Sequence, residues 1–341
     1  MKFSSSLTDW YELNKRELPW RNTRDVYKIW ISEIILQQTK VKYGLKYYLK
    51  FIKIFPTIYD LSRAKEDEVL KTWEGLGYYS RARNLHYTSK FIVNNLNGKF
   101  PKTYLEILNL KGIGPYTAAA ISSFAFKLPF AVLDGNVIRL LSRYFGIKVP
   151  YDNLRGKKLF QQLSQELLNC DDPDLHNQAI MEFGALICKP KLPKCEICHF
   201  NNLCYAFNNN LVSKLPIKQK KQKIKKRFIN YLIIKKNNFY FLKKRSKGIW
   251  MGLYEFPKIE TEDNLHLLNS KKITKYLKDK YTVIKFSNII IHKLSHQHIY
   301  AKFWHIKSNI NQVEGCLKVK SNRLFNYPFP ILILNYLKDE I

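Results

Sequence analysis

The chain has 341 residues, 46% of them apolar, enough for two domains with cores of their own and too apolar for a disordered tail. Its 58 Lys and Arg against 27 Asp and Glu leave a formal charge of +31. Such an excess points to a long polyanion, because each cation laid on a phosphate releases a counterion, although AT-rich coding alone produces a similar composition. No run of eighteen apolar residues predicts a membrane span. The start, MKFSSSLTDWYELNKR, lacks the apolar segment of a secretory signal, so a cytoplasmic protein is expected, with cysteines that do not form a disulfide framework.

From Asp9 to about Asn208 the pattern is mostly helical. VYKIWISEIILQQT (26–39) is apolar on nearly every side, as in a buried helix. Further helices are predicted over 67–76, 81–96, 102–110, 115–126, 136–146 and 177–188, with stops at Gly77 and Asn97-Gly98. The stretch 209–227 is polar, then strongly basic and without period, and reads as a linker. Beyond it, strands are predicted over 228–236, 238–245, 281–294 and 299–306, with a hairpin turn at Lys235 to Asn238 and one helix over 270–281. The expected organisation is a mainly α region over 1–208, a linker over 209–227 and an α+β domain over 228–341.

Three motifs carry chemistry. Cys188, Cys195, Cys198 and Cys204 read C-x6-C-x2-C-x5-C, four thiols in seventeen residues that can close around one metal centre. The spacing favours a [4Fe–4S] cluster over zinc, whose sites usually carry two C-x2-C pairs; buried free thiols are the remaining alternative. The intervening KPKLPK (189–194) reads as a stiff basic finger. LKGIGPYTAAA (110–120) has the layout of a helix-hairpin-helix element. Gly112 and Gly114 permit a tight turn close to a ligand, Pro115 opens the next helix, and the free N–H groups there suit a phosphate; a plain turn between helices is the alternative. Finally, Glu33 lies among apolar residues, where desolvation raises a carboxyl pKa and suits a proton donor; an ion-paired structural Glu would look the same. Asp134 reads first as a helix N-cap, which is compatible with stabilising a cation at a cleft.

Taken together, PWR (19–21), SEIILQQT (32–39), GLGYYSRARNL (75–85), LKGIGPYTA (110–118), LDGNVIRLLSR (133–143), NQAIMEFGALIC (177–188) and the four cysteines resemble the MutY adenine DNA glycosylases of the endonuclease III, or helix-hairpin-helix, superfamily. KRSKGIWMGLYEFP (244–257) and LSHQH (294–298) extend the likeness into that family's Nudix-like C-terminal domain. The resemblance implies a helix-hairpin-helix glycosylase fold with an iron–sulfur loop at 188–204, and a base excision repair enzyme that removes adenine mispaired with 8-oxoguanine or guanine in duplex DNA. The adenine would be flipped from the stack. Glu33 matches the catalytic acid that protonates N7, and later the base that activates water. Asp134 matches the carboxylate that stabilises the oxocarbenium-like sugar, through a transient covalent adduct. Asn136 and Tyr116 match residues that place these groups.

Arg21 and Gln178 match residues near the flipped adenine. Gln38 and Tyr78 match residues that wedge into the duplex, Thr39 and Leu76 match contacts to 8-oxoguanine, and Ser295 and His296 match a loop that senses that base. Leu294 departs from the Phe common there, which suggests a weaker apolar wedge. Tyr116 stands where strand-cleaving relatives carry a Schiff-base lysine, so a monofunctional enzyme is expected; a bifunctional lyase or a non-catalytic DNA-binding Fe–S protein are the alternatives. After GLYEFP only Glu260, Glu262 and Asp263 appear, with no clustered glutamate helix for Mg²⁺, so the C-terminal domain is expected to recognise without catalysing. The likeness also implies a monomer associated with the nucleoid.

Overall fold

The computed structural model describes residues 2–219, 224–261, 273, 277 and 281–340. In chain order the helices are α1 (Lys2–Asn14), α2 (Val26–Leu36), α3 (Val41–Ile54), α4 (Ile58–Arg63), α5 (Glu66–Thr72), α6 (Ser80–Asn95) and α7 (Tyr104–Leu108). They continue with α8 (Pro115–Phe126), α9 (Gly135–Phe145), α10 (Leu154–Glu166), α11 (Pro173–Leu186), α12 (Tyr205–Asn208) and α13 (Ile331–Glu340). The strands are β1 (Lys225–Lys236), β2 (Phe239–Lys244), β3 (Tyr254–Glu255), β4 (Lys258–Thr261), β5 (Tyr281–Phe286), β6 (Ile290–Lys293), β7 (Gln297–Ser308) and β8 (Leu317–Lys320). The chain forms two compact units, each discontinuous in sequence: residues 1–62 with 87–221, and residues 63–86 with 222–341.

The first unit is helical, and local sequence explains its key elements. Asp25 caps α2 by accepting from the Tyr27 and Lys28 N–H groups, and Ile29 to Ile35 are all buried. The helix ends at Leu36 because Gln37 turns extended and Gln38 takes a left-handed φ of 55°, short of the predicted end at 39. Helix α8 starts on Pro115, whose missing N–H costs nothing at that position. Its small residues Ala118 to Ala120, Ser122 and Ser123 are buried, which lets α2 and α11 pack closely against it. Leu7, Val137, Leu141, Phe160, Ala179 and Phe183 fill the core around α9 and α11. Part of the stretch read as linker lies on this unit: Leu215 is buried, its carbonyl accepts from Arg143 Nε at 3.1 Å, and the Tyr151 N–H donates to the Ile217 carbonyl at 3.1 Å.

In the second unit the strands follow the order β3-β2-β1-β7-β5, with β4 beside β1, β6 beside β7 and β8 beside β2. β1 and β7 run parallel from Lys225↔Gln297 to Lys235↔Lys307; the other pairings are antiparallel. β1 reads as a nearly unbroken apolar run because both faces are covered. Ile229, Tyr231 and Ile233 pack with Phe303, Phe329 and Leu337 of α13, while Leu232 and Ile234 pack with Phe241, Trp304 and Ile306. The hairpin turn predicted at Lys235 to Asn238 is present, with Asn237 at φ 48° and Lys236 opposite Phe239. The run 281–294 divides into β5 and β6. The helix predicted over 270–281 lies outside the described residues except for Ile273 and Leu277, which are buried, and Tyr281, which begins β5. Among the described residues no helix is long and apolar enough to cross a membrane.

Candidate active site

A cavity of about 660 Å³ opens in the helical unit, lined from α2, α8, α9 and α11 and from the turns before them. Nine residues singled out in the sequence meet there: Arg21, Glu33, Gln38, Thr39, Gly114, Tyr116, Asp134, Asn136 and Gln178. Gly112 lies in the adjoining turn at φ 87°, a conformation that suits glycine, and the Lys111 carbonyl beside it accepts from the Thr88 hydroxyl at 2.8 Å.

Glu33 is 5% exposed at the core-facing side of α2. Burial lifts its carboxyl from 4.5 to about 7; the hydrogen bond from Tyr116 pulls down, the Asp134 charge pushes up and the Arg21 charge pulls down. The Tyr116 hydroxyl donates to Glu33 Oε2 at 2.9 Å. Tyr116 is itself held neutral, its pKa pushed far up by burial and by the two neighbouring carboxylates. The site therefore holds a carboxyl that keeps or releases a proton near neutrality, as a general acid requires.

Asp134 is the N-cap of α9, as its sequence position suggested. Oδ1 accepts from the N–H groups of Asn136 and Val137, both at 2.8 Å, and Oδ2 accepts from the Asn136 side-chain amide at 2.7 Å. Burial raises its pKa, while these donors and the Arg139 charge act to lower it. The carboxylate is thus fixed in direction at the positive end of a helix, with its cap role and its place at the cavity combined. Arg139 fixes Asn136 in turn. Its guanidinium donates to Asn136 Oδ1 at 2.9 Å, to the Gly184 carbonyl at 2.7 Å and to the Cys188 carbonyl at 2.6 Å. Gly184 is glycine for a steric reason: a Cβ there would lie 2.8 Å from Asn136 Cβ and 2.9 Å from its carbonyl oxygen.

The cavity is also lined by a group that the sequence reading missed. Glu182, 1% exposed, takes bidentate contacts from both Arg16 and Arg21, with the Arg21 bonds at 3.1 and 2.7 Å. Burial alone would raise its pKa, but the two guanidiniums hold it down at about 2. Tyr11 donates to Gln178 Oε1 at 2.8 Å, which leaves the Gln178 amide N–H₂ as that side chain's donor. The available signal was a lone acid inside the apolar run NQAIMEFGALIC, but its arginine partners lie more than 160 residues away in sequence.

Cys188, Cys195, Cys198 and Cys204 all border one small apolar void of about 30 Å³, together with Leu140, Ile187 and Phe200. Burial pushes the Cys198 thiol up to about 11, with the other three sulfurs adding to it, and Cys195 and Cys204 are raised for the same first reason. Among the described residues no three His, Cys, Asp or Glu side chains are grouped for a single metal ion. Arg143 reaches the Cys188 sulfur at 3.5 Å and the Lys189 carbonyl at 2.8 Å.

A second cavity, about 340 Å³, lies within the strand-containing unit, and Leu76, Tyr78, Leu294, Ser295 and His296 all line it. Gln38 and Tyr78, the two residues matched to duplex wedges, both occupy the left-handed region, at φ 55° and 46°. Bulky side chains adopt it rarely, and such strain concentrates at functional sites. Glu260, one of the scattered acids of this unit, is occupied by Arg227 at 2.6 and 2.7 Å, and Glu262 and Asp263 lie outside the described residues.

Comparison with known proteins identifies the chain's relatives. Residues 31–169 match the HhH-GPD superfamily of base excision DNA repair proteins, and residues 230–339 match the NUDIX domain. The adenine DNA glycosylase of Buchnera aphidicola subsp. Baizongia pistaciae is 40% identical over 313 residues, 91% of this chain and 87% of that one. The Arabidopsis thaliana adenine DNA glycosylase is 36% identical, over 82% of this chain and 51% of its own. Among solved structures, a thermostable thymine-DNA glycosylase superposes with a TM-score of 0.56 at 33% identity, over 61% of this chain and 95% of that one. An endonuclease III–DNA complex shares the fold with a TM-score of 0.54 at 19% identity, over 62% of this chain and 97% of that one.

Proposed function

The chain belongs to the adenine DNA glycosylases, enzymes of base excision repair, and from that premise we propose that it excises adenine standing opposite 8-oxoguanine or guanine in duplex DNA, leaving the sugar–phosphate backbone intact. The observation that carries the reading is the pairing of Glu33, held near pH 7, with a firmly oriented Asp134 around one cavity large enough for a flipped base. Glu33 in its protonated form donates to adenine N7. The C1′–N9 bond then breaks, its electron pair leaves with the base, and positive charge develops on the sugar. Asp134, aimed by Asn136 and the first turn of α9, stabilises that charge and closes on C1′ as a transient adduct. Glu33, now ionised, takes a proton from water as the water attacks C1′ and releases Asp134. Tyr116 orients Glu33 throughout.

Two further features support the reading. Tyr116 occupies the wall where a Schiff-base lysine would stand, and among the described residues those lining the cavity include no lysine. The basic chain, with its hairpin turn and the uncapped start of α8 beside the cavity, suits a DNA backbone; nucleoid association follows from that partner. The four thiols around one void fit a [4Fe–4S] cluster, which Cys188, Cys195, Cys198 and Cys204 would hold. Bound there, it would pin the loop 188–204 and its lysines, without a part in the bond-breaking step.

The test is a duplex assay with A·8-oxoguanine against C·8-oxoguanine and A·T, with alkali to reveal abasic sites. Excision restricted to the first duplex, lost in Glu33→Gln while binding persists, is the expected result. Efficient borohydride trapping of the protein on DNA, or full activity of Glu33→Gln, would overturn the mechanism.

A further inference from the structure

Eight residues other than glycine have positive φ among the described residues. Asn97, Asn210 and Asn237 tolerate this conformation readily, and Lys127 is the left-handed cap that ends α8. Four bulky residues remain: Gln38, Tyr78, Leu192 and Trp250. The first two are the matched wedges, and Leu192 stands 91% exposed in the cysteine loop. Of these last two, neither given a role so far, Trp250, at φ 62°, is the one that lines a cavity.

Trp250 sits in the loop 248–252 of the strand-containing unit, which is built to hold it there. Gly248 and Gly252 flank it at φ 74° and 86°, and a Cβ on Gly252 would come within 2.9 Å of Leu70. Arg83 donates to the Met251 carbonyl at 2.6 Å, and Arg245 donates to the Ile249 carbonyl at 2.9 Å. The indole packs partly on the sheet core and tilts against His292 with centroids 5.8 Å apart. It also lines the 340 Å³ cavity beside Leu76, Tyr78, Ser295 and His296. A bulky aromatic held in a disfavoured backbone state, on a loop braced by two arginines, is over-determined in the way that functional strain requires.

We propose that Trp250 is a specificity-determining residue of this cavity, giving an aromatic face and an N–H donor to the purine opposite the excised adenine. The inference rests on the reading above, in which that cavity receives 8-oxoguanine. An indole stacks on any purine, and its N–H suits the C8 carbonyl that 8-oxoguanine has and guanine lacks.

The test compares single-turnover excision from A·8-oxoguanine and A·G duplexes by the full chain and by Trp250→Leu and Trp250→Phe. Trp250→Leu keeps apolar volume without the ring or its N–H; it should slow both duplexes through the lost stack and lower the ratio of the two rates about tenfold through the lost donor, the scale of one hydrogen bond. Trp250→Phe keeps the face without the donor; it should lower the ratio by as much as Trp250→Leu while retaining more of the rate on each duplex. Thermal melts identify a folding defect, and a ring needed only for packing would slow both substrates alike. An unchanged ratio in both variants, or equal loss on both duplexes, overturns the inference while the proposed function stands. No excision by the unaltered protein would sink both.

Discussion

The Tyr116 hydroxyl donates to Glu33 Oε2 at 2.9 Å, so the tyrosine steadies the charged form of a carboxyl that burial keeps near pH 7. Excision should decline as pH rises through about 7, as the acid loses its proton. Tyr116→Phe removes an interaction that lowers the Glu33 pKa. That variant should be slower, with its decline displaced to higher pH. Single-turnover rates across about pH 5 to 9 decide it; a midpoint that stays or moves down would contradict the assignment.

The same carboxyl affects stability with a definite sign. Its folded pKa of about 7 lies above its ordinary value of 4.5, so the folded chain retains a proton that the unfolded chain gives up. This favourable contribution is complete below 4.5 and is lost as pH rises through about 7. Glu33→Gln should therefore melt above the unaltered protein at alkaline pH, by on the order of 3 kcal/mol, with the gap shrinking in acid. Calorimetric melts at both ends of the range measure it.

Glu182 behaves in the opposite way. Its pKa is depressed from 4.5 to about 2, so its contribution is present above 4.5 and is lost as pH falls through about 2. Glu182→Gln leaves Arg16 and Arg21 without their shared anion and should cost about 3–5 kcal/mol in denaturant unfolding. It should also flatten the acid limb of stability. Loss of less than about 1 kcal/mol would show that the three-residue network is dispensable.

Local signals were the most legible. The apolar run of α2, the hairpin turn at Asn237 and the cap at Asp134 follow from residue type and spacing alone. Glu33 and Asp134 stood out from their sequence surroundings, their catalytic roles came from the resemblance, and the fold brings the two to one cavity. What stayed hidden depends on distant pairing. Glu182 with Arg16, Arg139 with Cys188, and residues 63–86 with the strand-containing unit have no local pattern. α10 escaped specific notice because LRGKKLFQQLSQE is largely polar, buried at Gly156, Phe160 and Ser164.

Gly184 offers a steric test of Asp134 placement. Gly184→Ala adds a methyl within 2.8 Å of Asn136, whose amide aims Asp134. Overpacking of this kind costs about 1–3 kcal/mol. Excision should fall at least about tenfold, with duplex binding changed far less, because a misplaced group affects the reacting geometry first. Comparing single-turnover rates with binding titrations separates the two.

The cysteine loop can be checked by colour and composition. The purified protein should be brown and carry about four iron atoms. Cys198→Ser should lose most of that iron. Stoichiometric zinc in a colourless protein would replace the cluster with the alternative site.

The discontinuous make-up of the two units has a consequence for where the chain can be cut. The polypeptide passes from one body to the other three times, after residues 62, 86 and 221. A gene fragment ending anywhere in the supposed linker would carry away Leu70 and Glu74, which touch Gly252 and the Phe329 N–H of the strand-rich body. Neither body is contiguous in sequence. A single cut in the supposed linker therefore divides the strand-rich body and does not separate the two bodies from each other.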